Sequence, residues 1–400
     1  MRRALLAGAV AAIAATALLF GGALRSGDRA TAAPTGRQLV RFGLEELQAA
    51  RTGDPSRYAR AERALRRALA ADPNDVDAVI GLASLANSRH KFRDGLALSR
   101  RAQRLSPDTA LTYAVLGDSL VELGRYDEAF VTFDRLAELK PGLASYSRTS
   151  YALELLGQVG PAMSAMELAA DAAGGQGEPA AFAHVHLGKL HFSVGRYGAA
   201  VREYKAALTA SPGYVEAFDG LAHVAAARGR IDQAIRLERR AVERNPLPQF
   251  VGALGDFYRA AGRPPLAREQ YELVGAIDRL YAANGVATDL ELALFNVDHG
   301  LRLRESLARA RRAHLARPSI EADAVMAWAL ARNGRCGEAL RYSKRALRLG
   351  TLDAPKFFHR GMIERCLGRN AEARRWFTRA LRLNAHFSLL WAPVARRAVA

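Results

Sequence analysis

Residues able to do chemistry are few in this chain, and their spacing argues against catalysis. His184, His186 and His191 form the one histidine cluster. On a helix His184 and His191 share a face, whereas His186 points nearly opposite, so the three do not converge on one metal ion. The two cysteines, Cys336 and Cys366, are too far apart in sequence to form a paired-cysteine metal motif. There is no glycine-lysine phosphate loop, no His-Glu-x-x-His and no nucleophile elbow. The chain is therefore expected to be non-enzymatic, with no catalytic residue, cofactor or metal assigned.

The elements that must position any site are set by prolines. Pro73, Pro107 and Pro141 fall 34 residues apart, and Pro212 to Pro246 repeats the interval. The gaps of 71 and 72 residues, from Pro141 to Pro212 and from Pro246 to Pro318, are two periods plus a short insertion. A period of this length marks one supersecondary unit stacked many times. Within it, Leu116, Gly117, Leu120, Gly124, Ala129, Phe133 and Pro141 recur as Leu187, Gly188, His191, Gly195, Ala200, Tyr204 and Pro212. Leu221, Ala222, Gly229, Ala234, Ala241 and Pro246 follow, then Leu254, Gly255, Tyr258, Gly262, Ala267 and Tyr271. Small residues such as Gly188 and Ala200 allow two helices to approach; Gly124 and Gly195 supply the left-handed residue that ends a helix. Alanine and leucine dominate and strand-type alternation is absent, so the fold should be all-α.

This pattern resembles the tetratricopeptide repeat. The resemblance implies a right-handed α-solenoid of about ten helix-turn-helix units between Gln38 and Phe387. Residues 38–387 are read as one solenoid, because no unit can bury its apolar face alone, and 388–400 as a capping segment. Departures are expected at the long turn Gly53 to Pro55, at the insertion Gly174 to Gly177 and in the unit ending at Tyr281. In the weakest unit, Thr288 to Pro318, Ser306 replaces the usual alanine. His184 and His191 then occupy positions where relatives carry packing residues.

Ahead of the solenoid, Ala4 to Leu24 is a 21-residue run without a charge, behind Arg2 and Arg3. It is long enough to span a bilayer, and the excess of positive charge on its amino side keeps that end in the cytoplasm. Nine alanines and the small residues Ala30, Thr31 and Ala32 equally suit a cleaved signal. Residues 1–24 are thus a transmembrane anchor or a signal peptide, and 25–37 a linker. Either reading puts the solenoid outside the cytoplasm, membrane-anchored or secreted. In the repeat geometry Cys336 opens a second helix and Cys366 closes the next first helix. The two become neighbours, either bonded in an oxidising compartment or held as two buried thiols.

Charge is uneven. The chain carries a net +18, and residues 301–400 hold 22 Lys plus Arg against 7 Asp plus Glu. Arg341, Lys344, Arg345 and Arg348, then Arg374, Arg375, Arg379 and Arg382, recur at helical steps on second helices. They form either a solvated convex surface or a dock for anionic lipid, a surface polymer or an acidic protein. Nucleic acid is disfavoured, since no stacking aromatics interleave the arginines.

The family resemblance also implies a concave groove for a protein segment. Helical spacing assigns to it Asp118 and Glu122; Phe182, Lys189 and Phe192; Glu216, Asp219 and His223; Asp256, Arg259 and Trp328. The expected function is a protein-interaction scaffold outside the cytoplasm. The alternative is a secreted or surface-attached binder of anionic polymer or lipid.

Overall fold

The computed structural model describes residues 35–400. The run 1–24 and most of the expected linker lie outside the described residues. Among those described, all regular structure is helical and no helix is long and apolar enough to cross a membrane. The linker ends sooner than residue 37. Thr35 caps the first helix in a reciprocal box, its hydroxyl accepting from the Gln38 amide while the Gln38 side chain accepts from the Thr35 amide at 2.8 Å.

Among the described residues, twenty helices pair into ten hairpins. The first three are α1 (Gly36–Arg51) with α2 (Arg57–Ala71), α3 (Val76–Ser88) with α4 (Phe92–Leu105), and α5 (Ala110–Glu122) with α6 (Tyr126–Leu139). Next come α7 (Leu143–Leu155) with α8 (Val159–Ala172), α9 (Gly177–Ser193) with α10 (Tyr197–Ala210), and α11 (Val215–Ala227) with α12 (Ile231–Arg244). The last four are α13 (Pro248–Ala260) with α14 (Pro264–Ala283), α15 (Asp289–His299) with α16 (Leu303–Ala316), α17 (Ile320–Arg332) with α18 (Cys336–Ala346), and α19 (Ala354–Cys366) with α20 (Asn370–Leu383). A short helix, α21 (Ala392–Val399), follows, and Trp391 ahead of it packs edge-on against Trp328 with ring centres 5.5 Å apart.

The division of labour within a hairpin follows from sequence. First helices such as α3, α5 and α17 are apolar around most of their circumference and are buried almost completely. Second helices such as α18 and α20 bury only the stripe of small and aromatic residues, Ala339 and Ala346 or Ala373, Phe377 and Ala380. Close contact inside a hairpin depends on glycine: a Cβ on Gly117 would meet the Phe133 ring at 2.2 Å, and one on Gly188 would meet Tyr204 at 2.4 Å.

The solenoid also closes on itself, a feature that the repeat pattern did not announce. The carbonyl of Ala287 lies 2.9 Å from His90 Nδ1, and the amide of Ile320 donates to Tyr126 Oη at 2.7 Å. The Thr351 hydroxyl donates to the Leu155 carbonyl at 2.5 Å, and Asn384 Nδ2 donates to the Phe192 carbonyl at 2.6 Å. These pairs are separated by 197, 194, 196 and 192 residues. A near-constant offset means that one superhelical turn rests on the next in fixed register, roughly 5.7 periods of 34 residues later. Where the turns touch, backbone meets backbone: a Cβ on Gly124 would lie 2.4 Å from the Pro318 carbonyl oxygen, and one on Gly157 2.5 Å from that of Gly350.

Candidate functional site

Closure of the turns changes the status of the expected groove residues. Asp118 does not face an open channel, because its carboxylate is held in a fork by the fully buried Arg148, at 2.8 Å to Nε and 2.7 Å to Nη2. Glu122 is likewise buried and faces Arg317 of the adjacent turn at 3.4 Å. Phe182 packs on the His186 ring, and Trp328 is 1% exposed, stacked on His359 at 4.0 Å. The structure places these four in internal contacts, met by Arg148, Arg317, His186 and His359 respectively.

A second set stays together on α9, α11 and α13. Phe192, His223 and Phe257 form an edge-to-face series, with centres 6.3 Å and then 5.4 Å apart. Burial pushes the Asp219 carboxyl up, but His223 Nε2 at 3.3 Å and the charge of Lys189 together hold it below the usual range. Lys189 Nζ is buried without a hydrogen bond; burial lowers its pKa, opposed by the field of Glu216, Asp219 and Glu154. Glu216 is raised, first by burial. Asp256 accepts from Tyr271 Oη at 2.9 Å and lies 2.7 Å from His299 Nε2. Arg259 stands apart, exposed at the carboxyl end of α13.

Sequence reasoning missed the cation that joins the turns. Arg317, just before Pro318, is buried between Glu122 and Glu291, with its guanidinium over the Phe92 ring at 5.5 Å. Burial pushes Glu122 up to about 7 even with Arg317 beside it. Glu154, also raised to about 7 by burial, belongs to the same inner column. So does Lys356, which reaches Glu321 and lies 3.4 Å from Asp353. A lone arginine before a repeat proline gives little warning of this role, since the contact depends on a register of nearly two hundred residues.

All eight expected basic residues are exposed, on α18 and α20 or in the turn after α18. Their environments differ. Arg345 and Arg348 lie 3.2 Å and 2.7 Å from the buried Asp323, Arg375 pairs with Glu372, and Arg379 lies over the Phe357 ring. Arg341, Lys344, Arg374 and Arg382 have no ion-pair partner among the described residues. Earlier in the chain, Arg309 and Arg312 are occupied by Asp289. Cys336 and Cys366 form a disulfide between α18 and α19, with Cα atoms 6.2 Å apart. His184 is engaged by Glu203 at 2.9 Å, and among the described residues no group of three or more His, Cys, Asp or Glu gathers around a metal position.

Stacked helical hairpins with small residues at fixed positions in each pair define an α-solenoid repeat protein. A family model described as tetratricopeptide repeat matches residues 54–89, 88–144, 185–247, 220–279 and 325–386, more than half of the chain. The chain belongs to the tetratricopeptide repeat family. Over 88 residues it is 36% identical to mouse (Mus musculus) anaphase-promoting complex subunit 7, a match covering 22% of this chain and 15% of that protein. The human protein of that name is 34% identical over 88 residues, with the same coverage, so the chain spans about one seventh of these relatives. Among solved structures, it is similar to the APC/C hetero-tetramer Cut9-Hcn1, with 17% identity, TM-score 0.42 and coverage of 91% of this chain and 76% of that one. A second is YrrB, a TPR protein with an unusual peptide-binding site, with 20% identity, TM-score 0.31 and coverage of 46% and 92%. Proteins of this family are generally non-enzymatic scaffolds for protein interaction.

Proposed function

We propose that this chain is an interaction scaffold outside the cytoplasm whose working surface is the basic face of α18 and α20, and whose partner is an acidic protein segment. The observation that carries this reading is the contrast between the two candidate surfaces. Four of the expected groove residues are engaged in the protein's own contacts, while Arg341, Lys344, Arg374 and Arg382 remain exposed with no carboxylate within ion-pair distance among the described residues. Unpaired exposed cations on consecutive second helices raise the local potential and steer an anionic partner. The mechanism is positioning, not reaction. A location outside the cytoplasm is supported by the uncharged amino-terminal run and by the disulfide, which persists in an oxidising compartment.

A charge-reversed variant, Arg341→Glu with Lys344→Glu, Arg374→Glu and Arg382→Glu, tests the assignment. Tagged wild type captured from native membranes at low salt should retain an acidic protein that the variant loses and that elutes as salt rises. Equal retention by both would sink the reading. A second reading, an anionic polymer on the same face, is favoured by the recurrence of exposed cations at helical steps along α18 and α20. Retention of polyphosphate by wild type, with no protein co-purifying, would select it. Protease treatment of intact cells tests the location.

A further inference from the structure

Closure of the superhelix leaves a cavity of about 270 Å³ between α1 to α3, a wall of α9, α11 and α13 to α15, and the carboxyl-terminal α19 and α21. Its size lies just below the usual range of small-molecule sites and suits a small ligand. Phe192, Phe257, Phe295, Phe358 and Trp391 give it an aromatic body. The acidic groups in its wall are already engaged: Asp256 by Tyr271 and His299, Asp278 by Thr288 and Arg309, Asp298 by Trp328 and Trp391, Glu291 by Arg317.

Arg51 is different. In the cavity lining its Nε donates to Ser88 Oγ at 2.8 Å and its Nη2 to the Ser84 carbonyl at 3.3 Å, which fixes the guanidinium plane. Among the described residues no carboxylate stands within ion-pair distance and Nη1 makes no hydrogen bond. Burial lowers its pKa to about 10. A half-buried cation held by two serines but left without a counter-charge is costly unless an anion completes it. Planar guanidinium presents parallel donors that match a carboxylate.

We propose that this cavity binds a small amphipathic monocarboxylate, with its carboxylate on the free Nη1 edge of the Arg51 guanidinium and its apolar tail against Phe257 and Trp391. This site is separate from the basic outer face, so either assignment can fail without the other.

Calorimetric titration of the full chain with decanoate, 1-decanol and decylammonium, each kept below its aggregation threshold, tests the proposal. Decanoate should bind at least tenfold more tightly than the other two, and Arg51→Gln should remove that preference. Because Arg51→Gln can also disturb α1, Ala227→Phe supplies an independent variant that fills the cavity from the wall and leaves Arg51 in place. It should abolish decanoate binding while leaving the helical circular-dichroism signal and melting profile unchanged. No decanoate binding by wild type, equal affinity for decanoate and decanol, or binding unaltered in both variants would each overturn it.

Discussion

Arg317 and Glu122 are 195 residues apart in the chain and 3.4 Å apart in the fold. The pair ties α5 to the segment between α16 and α17, and Glu291 completes the clamp from α15. It converts a helical ribbon whose turns could separate into one whose turns are locked. The amide of Ile320 bonding to Tyr126 Oη lies next to it. The lock therefore combines a buried ion pair with a hydrogen bond from a main-chain amide to a side-chain hydroxyl.

The first prediction concerns this clamp. Arg317→Met should destabilise the chain by about 3 to 5 kcal/mol, because it leaves the buried Glu122 and Glu291 facing each other without a cation. Glu122→Gln should cost much less, since Arg317 keeps Glu291. Urea unfolding of both variants at pH 7 measures the difference. Equal losses would mean that the clamp does not hold the turns.

Seam contact can be separated from helix capping by two glycines of the same conformation. Gly124 and Gly229 both sit at left-handed φ, 71° and 76°, but only Gly124 abuts another turn; nothing lies within 4 Å of a Cβ on Gly229. Gly229→Ala should cost about 1 to 2 kcal/mol for its backbone alone. Gly124→Ala should cost roughly 1 to 3 kcal/mol more through overpacking against the Pro318 carbonyl. Small-angle scattering should show expansion for Gly124→Ala only; matching profiles for the two would refute the seam as a packed interface.

What could be read in the sequence follows the range of the interactions involved. The hairpins were legible because their determinants recur locally: Gly188 against Tyr204 and the left-handed Gly124 lie within one period of their consequences. The exposed cations Arg341 and Arg374 were legible because a second helix turns a predictable face outward. The internal partners of Asp118, Glu122 and Trp328 were not legible, because helical spacing gives a residue's direction and not what the superhelix brings opposite it. The seam depends on small rotations accumulated over more than five repeats, and no local pattern encodes their sum. Arg51 escaped notice for the same reason, as its cavity is bounded by helices from both ends of the chain.

The Cys336–Cys366 disulfide closes a 30-residue separation across one repeat boundary. In the chain-entropy description its removal should cost about 3 to 4 kcal/mol. Cys336→Ser with Cys366→Ser should lower the urea midpoint, and dithiothreitol should lower the wild-type midpoint to match while leaving the double variant unchanged. Unbonded thiols in protein isolated from its native compartment, found by mass spectrometry without reduction, would contradict the bond and remove its support for a location outside the cytoplasm.

The inner carboxylates make stability depend on pH in an unusual direction. Burial raises Glu154 from an ordinary value of 4.5 to about 7, and Lys356 only partly opposes it. Between those two values the folded state holds a proton that the unfolded chain has released. Stability therefore falls as pH rises through this window, by up to about 1.4 kcal/mol per unit for one such group, and levels off above it. Glu122, raised to about 7 by burial, contributes with the same sign. Glu154→Gln removes the titration while retaining shape and polarity. It should be near neutral at pH 5 and stabilising at pH 8, flattening the profile of the urea midpoint between them. If the variant instead loses stability at pH 8, Glu154 is acting as a charged partner of Lys356, and desolvation does not govern the inner column.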